Sequence, residues 1–301
     1  MPNPLVPSLS NQQYTMSALL ANPTRLNRLV ARLAADQLVV DAFFRPAASV
    51  VQGGGMLYDV LLAGGNFSAR DVEVRAPGAE YPLTFSEQVF DLAKPSDHGA
   101  KVEVRDEDLD RYDPAIVANK VTALANSITR RVDQLAIAAI DAAHSRHGIA
   151  PLVGHPWNEV ITVGPLASVT PNGERPMADI ATAALRVRED DLGIPAPDTL
   201  VCHPQELTAA RIAYGSETAA VMESVGITSV RTSMQVPAGT AYVVSSGQAG
   251  VLGFERPLTT EVIPVRERRA TFLQSFVVPV FAVPTPGAVR RITGLAAAAG
   301  S

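Results

Sequence analysis

The chain has 301 residues, of which 47% are hydrophobic and 18% are charged, and its formal net charge is −5. This composition excludes a disordered chain and predicts a soluble globular protein with one large or two modest cores. The mild negative charge does not indicate a protein that binds nucleic acid mainly through phosphate contacts, so any contact with DNA is expected to be weak. The single cysteine, Cys202, excludes an intramolecular disulfide and is typical of a reducing cytosol.

The N-terminal residues predict neither secretion nor membrane insertion. Met1 to Asn22 is polar and proline-rich, without the basic and apolar regions of a signal peptide. Apolar runs such as Phe276 to Val283 are much shorter than the roughly 20 residues that cross a bilayer. Thr24 to Asp36 has the spacing of a short amphipathic helix, whose arginine face could meet an acidic partner but is by default solvated. We therefore assign residues 1–46 to an extended arm.

Two extended arms joined by a glycine-rich tip are predicted over residues 47–82. The tip lies at Gly64-Gly65-Asn66, and Val72, Val74 and Tyr81 belong to the arm that returns from it. Because a lone two-stranded ribbon is marginal in water, a ribbon of this length needs support, and a second copy of the chain would provide it. The apolar residues expected to contact that copy are Val51, Met56, Leu57, Tyr58, Val60, Leu61, Phe67, Val72 and Val74. This pattern indicates a self-assembling protein.

A long helix is predicted from Pro114 to His147. Aspartate before a proline is a favoured helix start, and apolar residues then recur at steps of three and four. Gly148 follows the last turn, where glycine commonly ends a helix. Such a helix would be about 50 Å long and would act as a spine.

No motif for catalysis, cofactors or metals is complete. The acidic run from Asp106 to Asp113 has Arg111 and Val117 where a calcium loop needs glycine and glutamate. His144 and His147 share one helix face but lack the further ligands of a metal site. There is neither a Gly-x-Ser-x-Gly elbow nor a phosphate loop. We therefore predict a structural protein without catalytic, cofactor-binding or metal-binding residues.

A compact α/β unit is predicted over residues 164–256, followed by extended pieces that need strand partners. The unit holds a helix from Met177 to about Gly193, a strand at Asp198 to Pro204 and a helix from Gln205 to Tyr214. The short strands expected around and after the Gly247 turn are Thr240–Ser245, Gly250–Phe254, Thr259–Arg266, Thr271–Val283 and Ala288–Ile292. The last three would pair with pieces before the spine helix, which predicts a discontinuous domain of residues 83–163 and 257–296.

Arginine makes up all but three of the 25 basic residues. Its planar fork suits desolvated ion pairs at interfaces. A GC-rich genome produces the same bias, so both explanations stay open.

This order of elements resembles the HK97-type major capsid protein of tailed phages, especially those of actinobacteria. The stretches that carry the resemblance are Ala178–Ala184, Asp198–Pro204, Arg256–Val262 and Ala288–Gly294. It implies an α+β fold in which residues 47–82 form the E-loop and the spine helix belongs to a P-domain of residues 83–163 and 257–296. Residues 164–256 would be the A-domain, and residues 297–301 a tail.

The resemblance implies hexamers and pentamers that close into an icosahedral phage head around double-stranded DNA. The implied partners are the protein itself, portal, scaffold and decoration proteins, and DNA held by weak non-specific contact. The implied location is the virion capsid, assembled in the host cytoplasm as a procapsid that then expands. Because about 46 residues precede the ribbon, a separate scaffold or none is expected. Some relatives crosslink through an E-loop lysine, and since the first lysine here is Lys94, no crosslink is expected.

Two other classes remain open. An encapsulin-type bacterial nanocompartment has the same fold but encloses a cargo enzyme, so co-purified protein rather than DNA would indicate it. An enzyme with an unrecognised site would instead form a small discrete oligomer with a substrate pocket.

Overall fold

The computed structural model describes residues 9–10, 13–14, 39–68, 74–75, 77–78, 80–81, 83–84, 88–105, 115–165 and 167–296. The predicted helix from Thr24 to Asp36, the acidic run from Asp106 to Asp113, and Val72 lie outside these residues.

The described chain alternates strands and helices. In chain order the strands are β1 (Leu9–Ser10), β2 (Gln13–Tyr14), β3 (Phe44–Pro46), β4 (Met56–Val60), β5 (Val89–Ala93), β6 (His98–Arg105), β7 (Leu152–Val153), β8 (Thr199–Cys202), β9 (Ser229–Thr232), β10 (Thr240–Val244), β11 (Gly250–Val265), β12 (Ala270–Ala282) and β13 (Val289–Thr293). The helices are α1 (Val40–Phe43), α2 (Ala115–Arg146), α3 (Pro176–Glu189), α4 (Pro204–Tyr214) and α5 (Thr218–Ser224).

The strands form two larger sheets. The four-stranded sheet has the order β3-β11-β12-β6, and its centre is the long antiparallel β11–β12 hairpin. The five-stranded sheet has the order β7-β13-β10-β8-β9, with parallel pairing at both edges. Strands β4 and β5 make a separate antiparallel ribbon. This combination of helices and mixed sheets agrees with the predicted α+β fold class.

The spine helix is α2, which has 32 residues and agrees with the predicted limits to within one residue at each end. It ends at Gly148, whose φ of 69° is the left-handed region that favours glycine. The Ile149 amide donates to the His144 carbonyl at 2.9 Å and closes the last turn. Seven buried apolar residues of α2 enter a core shared with both larger sheets, and they are Leu124, Ile128, Val132, Ala136, Ile137, Ile140 and Ala143.

The five-stranded sheet is buried on both faces. Tyr242 and Val244 of β10 pack in the core on the α2 side, whereas Ala241 and Val243 pack in the core on the α3 and α4 side. Every residue of β10 is buried, which explains its continuous apolar sequence. Strand β8 and helices α3 and α4 lie where the sequence predicts them.

The long strand β11 differs from the prediction. The sequence predicts Gly250–Phe254 and Thr259–Arg266 as separate strands, the first inside the α/β unit, but both belong to β11 in the four-stranded sheet. The pairing with β12 is irregular around Pro257, because proline has no N–H to donate to the neighbouring strand. For the same reason, the sequence predicts that one strand ends and another begins at this position. At Gly250 a Cβ would lie 2.3 Å from the Ala282 carbonyl oxygen, so this close approach of strands requires glycine.

The last strand also takes other partners than predicted. Ala288–Ile292 was expected beside pieces that precede the spine helix, but β13 lies between β7 and β10. The reason is its burial, because Val289 enters the core on the α2 side and Ile292 the core on the opposite face. Strands β11 and β12 do pair with earlier pieces, β3 and β6. The α/β unit therefore takes strands from both sides of residues 164–256.

Candidate subunit interface

The ribbon pairs β4 with β5, from Met56 opposite Ala93 to Val60 opposite Val89. The sequence predicts its return arm at Val72, Val74 and Tyr81, but the strand that returns is Val89–Ala93, later in the chain. Val74 and Tyr81 are exposed and belong to no strand. The prediction failed because those apolar residues have no strand opposite them, whereas β5 places a side chain opposite every residue of β4.

One face of the ribbon packs against its own subunit. Val51 and Val60 are buried, and Met56 and Tyr58 pack half-buried against a cluster formed with β12. Val51 fits there because β11 has a glycine opposite it: a Cβ on Gly253 would lie 2.5 Å from a Val51 methyl carbon. Contrary to the prediction, Val51 and Val60 are therefore not available to a neighbouring copy.

The other face of the ribbon is apolar and exposed. Leu57, Phe90 and Leu92 are 70%, 60% and 48% exposed. Leu57 lies directly opposite Leu92, and Phe90 is two residues along the same face. We call these three residues the outer ribbon face. Sequence reasoning missed Phe90 and Leu92, although their alternation around a polar Asp91 is the signal of a half-buried strand.

The other predicted contact residues divide between surface and interior. Phe67 and Val74 are exposed, as a contact surface requires. Leu61 is half-buried, like Met56 and Tyr58 on the inner face of the ribbon. Of the predicted residues that the structure describes, Leu57, Phe67 and Val74 are therefore the exposed ones.

Asp91 fixes the ribbon to the end of the spine helix. Its carboxylate accepts a hydrogen bond from the Tyr58 hydroxyl at 3.0 Å and forms an ion pair with the Arg146 guanidinium in the last turn of α2. Charge-assisted contacts of this kind are stronger than neutral ones. The ribbon therefore has a defined direction relative to the spine.

The glycine-rich tip is a turn held against the subunit itself. The Leu61 amide donates to the Pro284 carbonyl at 2.7 Å, and the Gly64 amide to the Asp190 carbonyl at 3.3 Å. The expectation that the whole ribbon is uncovered is therefore wrong for its inner face and for this turn. It agrees with the structure for the outer ribbon face.

A cationic cluster lies at the end of the β11–β12 hairpin. Arg266, Arg268 and Arg269 are exposed there, and β6 places Arg105 opposite Ala270 at the same end of the sheet. Among the residues that the structure describes, this group has one carboxylate within 4 Å, Glu103, whose oxygen lies 3.9 Å from Arg105. We call these four arginines the arginine tip. It offers planar donors to carboxylates of another molecule.

The groups considered for metal binding or reactivity have structural surroundings. His144 is buried and donates through Nε2 to the Pro286 carbonyl at 3.1 Å, and its burial lowers its pKa. Burial raises the pKa of the Cys202 thiol to about 12. Among the residues that the structure describes, no group of three histidine, cysteine, aspartate or glutamate side chains could hold a metal. In the same part of the chain, no helix is long and apolar enough to cross a membrane.

Comparison with known proteins gives one family. The family model described as phage capsid protein matches residues 89–292, which is more than half of the chain. No curated protein matches the sequence.

Solved structures with the same fold include several from viruses. A chain from Mycobacterium phage Bobi has 13% identity and a TM-score of 0.63, covering 88% of this chain and 91% of that one. A virus-like particle from Pyrococcus furiosus has 10% identity and a TM-score of 0.59, covering 89% and 98%. The capsid of cyanophage P-SCSP1u has 14% identity and a TM-score of 0.58, covering 87% and 89%. At these identities the likeness shows the fold.

The family match covers the ribbon's return strand, the spine helix and most of both larger sheets. The chain belongs to the phage capsid protein family and is a major capsid protein with the HK97-like fold.

Proposed function

We propose that this subunit forms hexamers and pentamers that close into an icosahedral head around double-stranded DNA, with the outer ribbon face as a contact between neighbouring subunits. The observation that carries the proposal is an exposed apolar face on a ribbon whose direction is fixed by the Asp91–Arg146 ion pair. An anchored ribbon loses little conformational entropy when a neighbour covers it. A contiguous exposed apolar surface of this kind is typical of a protein–protein contact site.

The outer ribbon face is large enough to matter for assembly. Full burial of a large apolar side chain contributes about 1.5–3 kcal/mol, so the exposed fractions of Leu57, Phe90 and Leu92 correspond to about 3–5 kcal/mol per subunit. One such contact is weak, but a subunit in a closed shell makes several at once. Weak individual contacts also let misplaced subunits dissociate during assembly.

The remaining contacts in the proposed shell are non-covalent. Lys94, the first lysine of the chain, follows directly after β5, at the base of the ribbon rather than along its outer face. The arginine tip would supply ion pairs to neighbouring subunits. A wall with a net charge of −5 per subunit would hold packaged DNA weakly. Portal, scaffold and decoration proteins would act with this subunit in the host cytoplasm, and no catalytic step is assigned to it.

A particle that encloses cargo protein is the second candidate. The observation that favours it is the fold shared with the virus-like particle from Pyrococcus furiosus. The contents decide between the two, since purified particles would contain nuclease-protected DNA in one case and a single abundant second protein in the other.

The proposal is tested by expressing the full chain and examining it by sedimentation velocity and negative-stain electron microscopy. We expect closed particles for the wild type and, after boiling in detergent, a single band at the monomer mass. Leu57→Asp should prevent closure, because it places a carboxylate in the contact and weakens it at least about tenfold. Leu185→Asp is the matched control, since Leu185 is an exposed leucine on α3 and not part of the outer ribbon face. A stable wild-type monomer, or equal assembly of both variants, would contradict the proposal.

A further inference from the structure

The arginine tip is open to another molecule. Its three hairpin members, Arg266, Arg268 and Arg269, lie beyond the last residue pair of β11 and β12, and all three are exposed. None of them forms an ion pair with another residue in the described part of the chain. The subunit itself therefore leaves these guanidinium groups uncovered.

The tip keeps a positive charge after its own carboxylates are counted. Glu267 lies within the hairpin turn and Glu103 lies near Arg105, so four arginines outnumber two glutamates. The whole chain has a net charge of −5, which makes a positive end unusual for it. Unpaired arginine forks at a surface favour a partner that carries several carboxylates.

The acidic run from Asp106 to Asp113 has the complementary charge. It holds five carboxylates and one arginine, and no eight-residue stretch elsewhere in the sequence holds more than three carboxylates. The run lies outside the described residues, but the chain on both sides of it lies at the tip end of the four-stranded sheet. Arg105 comes directly before it and pairs with Ala270, and Lys120, in the second turn of α2, donates to the Glu103 carbonyl at 3.0 Å.

Each subunit therefore has a cationic and an anionic surface at the same end of one sheet. We propose that the arginine tip of one subunit binds the acidic run of a neighbouring copy. A neighbour is the occupant because the hairpin arginines are exposed in the single subunit. Because the two surfaces differ, the contact can pass from copy to copy around a symmetry axis. The inference rests on the proposed function, since it names the partner of the arginine tip within the shell.

Individual ion pairs at a surface are weak, so this contact depends on several of them together. Each exposed pair strengthens a contact by about fivefold at most, but arginine forks facing a run of carboxylates form a network. Because the charges face solvent, salt screens them beyond about 3 Å at an ionic strength of about 1 M. The effect of a charge change on assembly should therefore be largest at low salt.

The test uses the full chain, the particle assay at low salt and one charge-reversed variant for each surface. The tip variant, Arg266→Glu/Arg268→Glu, leaves carboxylates in excess at the tip. The run variant, Asp106→Lys/Asp108→Lys/Asp110→Lys, leaves basic residues in excess in the run. Each should raise the protein concentration needed for assembly at least about tenfold, because the two surfaces then repel each other.

The matched control reverses two exposed arginines of the α/β unit, Arg211→Glu/Arg231→Glu, and so changes the net charge as the tip variant does. It should assemble like the wild type. A thermal melt of each variant checks folding. If a variant does not fold, the single change Arg268→Glu or Asp108→Lys takes its place.

Mixing the two variants distinguishes a contact between copies from a contact within one subunit. In the mixture, the anionic tip of one variant can meet the cationic run of the other, and the unchanged tip and run can also meet. Within each variant chain, tip and run keep like charges. The mixture should therefore assemble at a lower concentration than either variant alone.

All five changes in one chain should also restore assembly, because the contact is then re-formed with opposite sense. Restoration in that chain without rescue by mixing would place the contact within one subunit and overturn the inference. Wild-type assembly of either variant, no restoration by the combined changes, or an equal loss in the control would overturn it too. In these cases the wild type still forms particles, so the proposed function stands. If the wild type forms none, both fail.

Discussion

A buried carboxylate in the middle of the spine helix predicts how stability depends on pH. Asp133 is 4% exposed on α2, and its carboxylate accepts a hydrogen bond from the Val39 amide at 3.1 Å, just before α1. Burial raises the pKa of Asp133 to about 6, against the opposing effect of hydrogen bonds from the Val39 and Val40 amides, and the charge of Asp41 raises it further. The neutral form is therefore favoured in the folded subunit.

The sign and size of the pH dependence of stability follow from the shift in the pKa of Asp133. Because the folded pKa lies above the ordinary value of 3.8, the stabilisation is complete below pH 3.8 and is lost as pH rises to about 6. A shift of this size corresponds to about 3 kcal/mol of folding free energy. Asp133→Asn removes the charge and keeps the shape and one acceptor. It should therefore stabilise the subunit by up to about 3 kcal/mol at pH 8 and by little at pH 4.

The measurement is urea denaturation of dilute, unassembled subunits at pH 4, 6 and 8. Asp59→Asn, which changes an exposed carboxylate on the ribbon, is the matched control. A constant difference between Asp133→Asn and wild type across this range would refute the reasoning. Greater stability of the variant at pH 4 than at pH 8 would refute it as well.

Three further substitutions follow from local geometry. Gly250→Ala should yield insoluble protein, because its Cβ would lie 2.3 Å from backbone, whereas Gly173→Ala, with open space around it, should express normally. Tyr242→Phe should cost about 1.5–3 kcal/mol by chemical denaturation, since the Tyr242 hydroxyl donates to both Asp141 oxygens at 3.1 and 3.2 Å and is otherwise buried. Gly148→Ala should lower stability by about 1 kcal/mol, because alanine is strained at a φ of 69°.

The spine helix and the strands around α4 could be read from the sequence because their signals are local. A favoured start at Asp113-Pro114, a period of 3.6 and a terminal glycine determine α2 without reference to the rest of the chain. Strand β10 is similar, because a strand buried on both faces is an uninterrupted apolar run.

The pairing of strands could not be predicted in the same way, because it depends on residues that lie far apart in the chain. The ribbon illustrates this: Val74 and Tyr81 are apolar and follow the glycine turn, yet β4 pairs with Val89–Ala93. What selects β5 is the fit of Tyr58 opposite Asp91 and the ion pair of Asp91 with Arg146, which is 55 residues away. No hydrophobic periodicity within the ribbon sequence indicates that β5 is the partner strand of β4.

Some of the predicted contact residues are buried in the subunit and others are exposed, and the sequence could not separate them for the same reason. Alternation along a strand predicts that one face is buried, but it does not tell which molecule buries it. Val51 is covered by its own subunit because Gly253, two hundred residues later, leaves space for it. Leu57, on the opposite face, is 70% exposed.

The last two turns of the spine helix contact both the ribbon and the α/β unit. Arg146 holds the ribbon through Asp91, and His144 holds the turn before β13 through the Pro286 carbonyl. One turn earlier, Asp141 binds the Tyr242 hydroxyl at the centre of the five-stranded sheet. Because these contacts alternate along one rigid helix, a displacement of that helix end moves the ribbon and the α/β unit together. The proposed ribbon contact is therefore coupled through α2 to the orientation of the α/β unit.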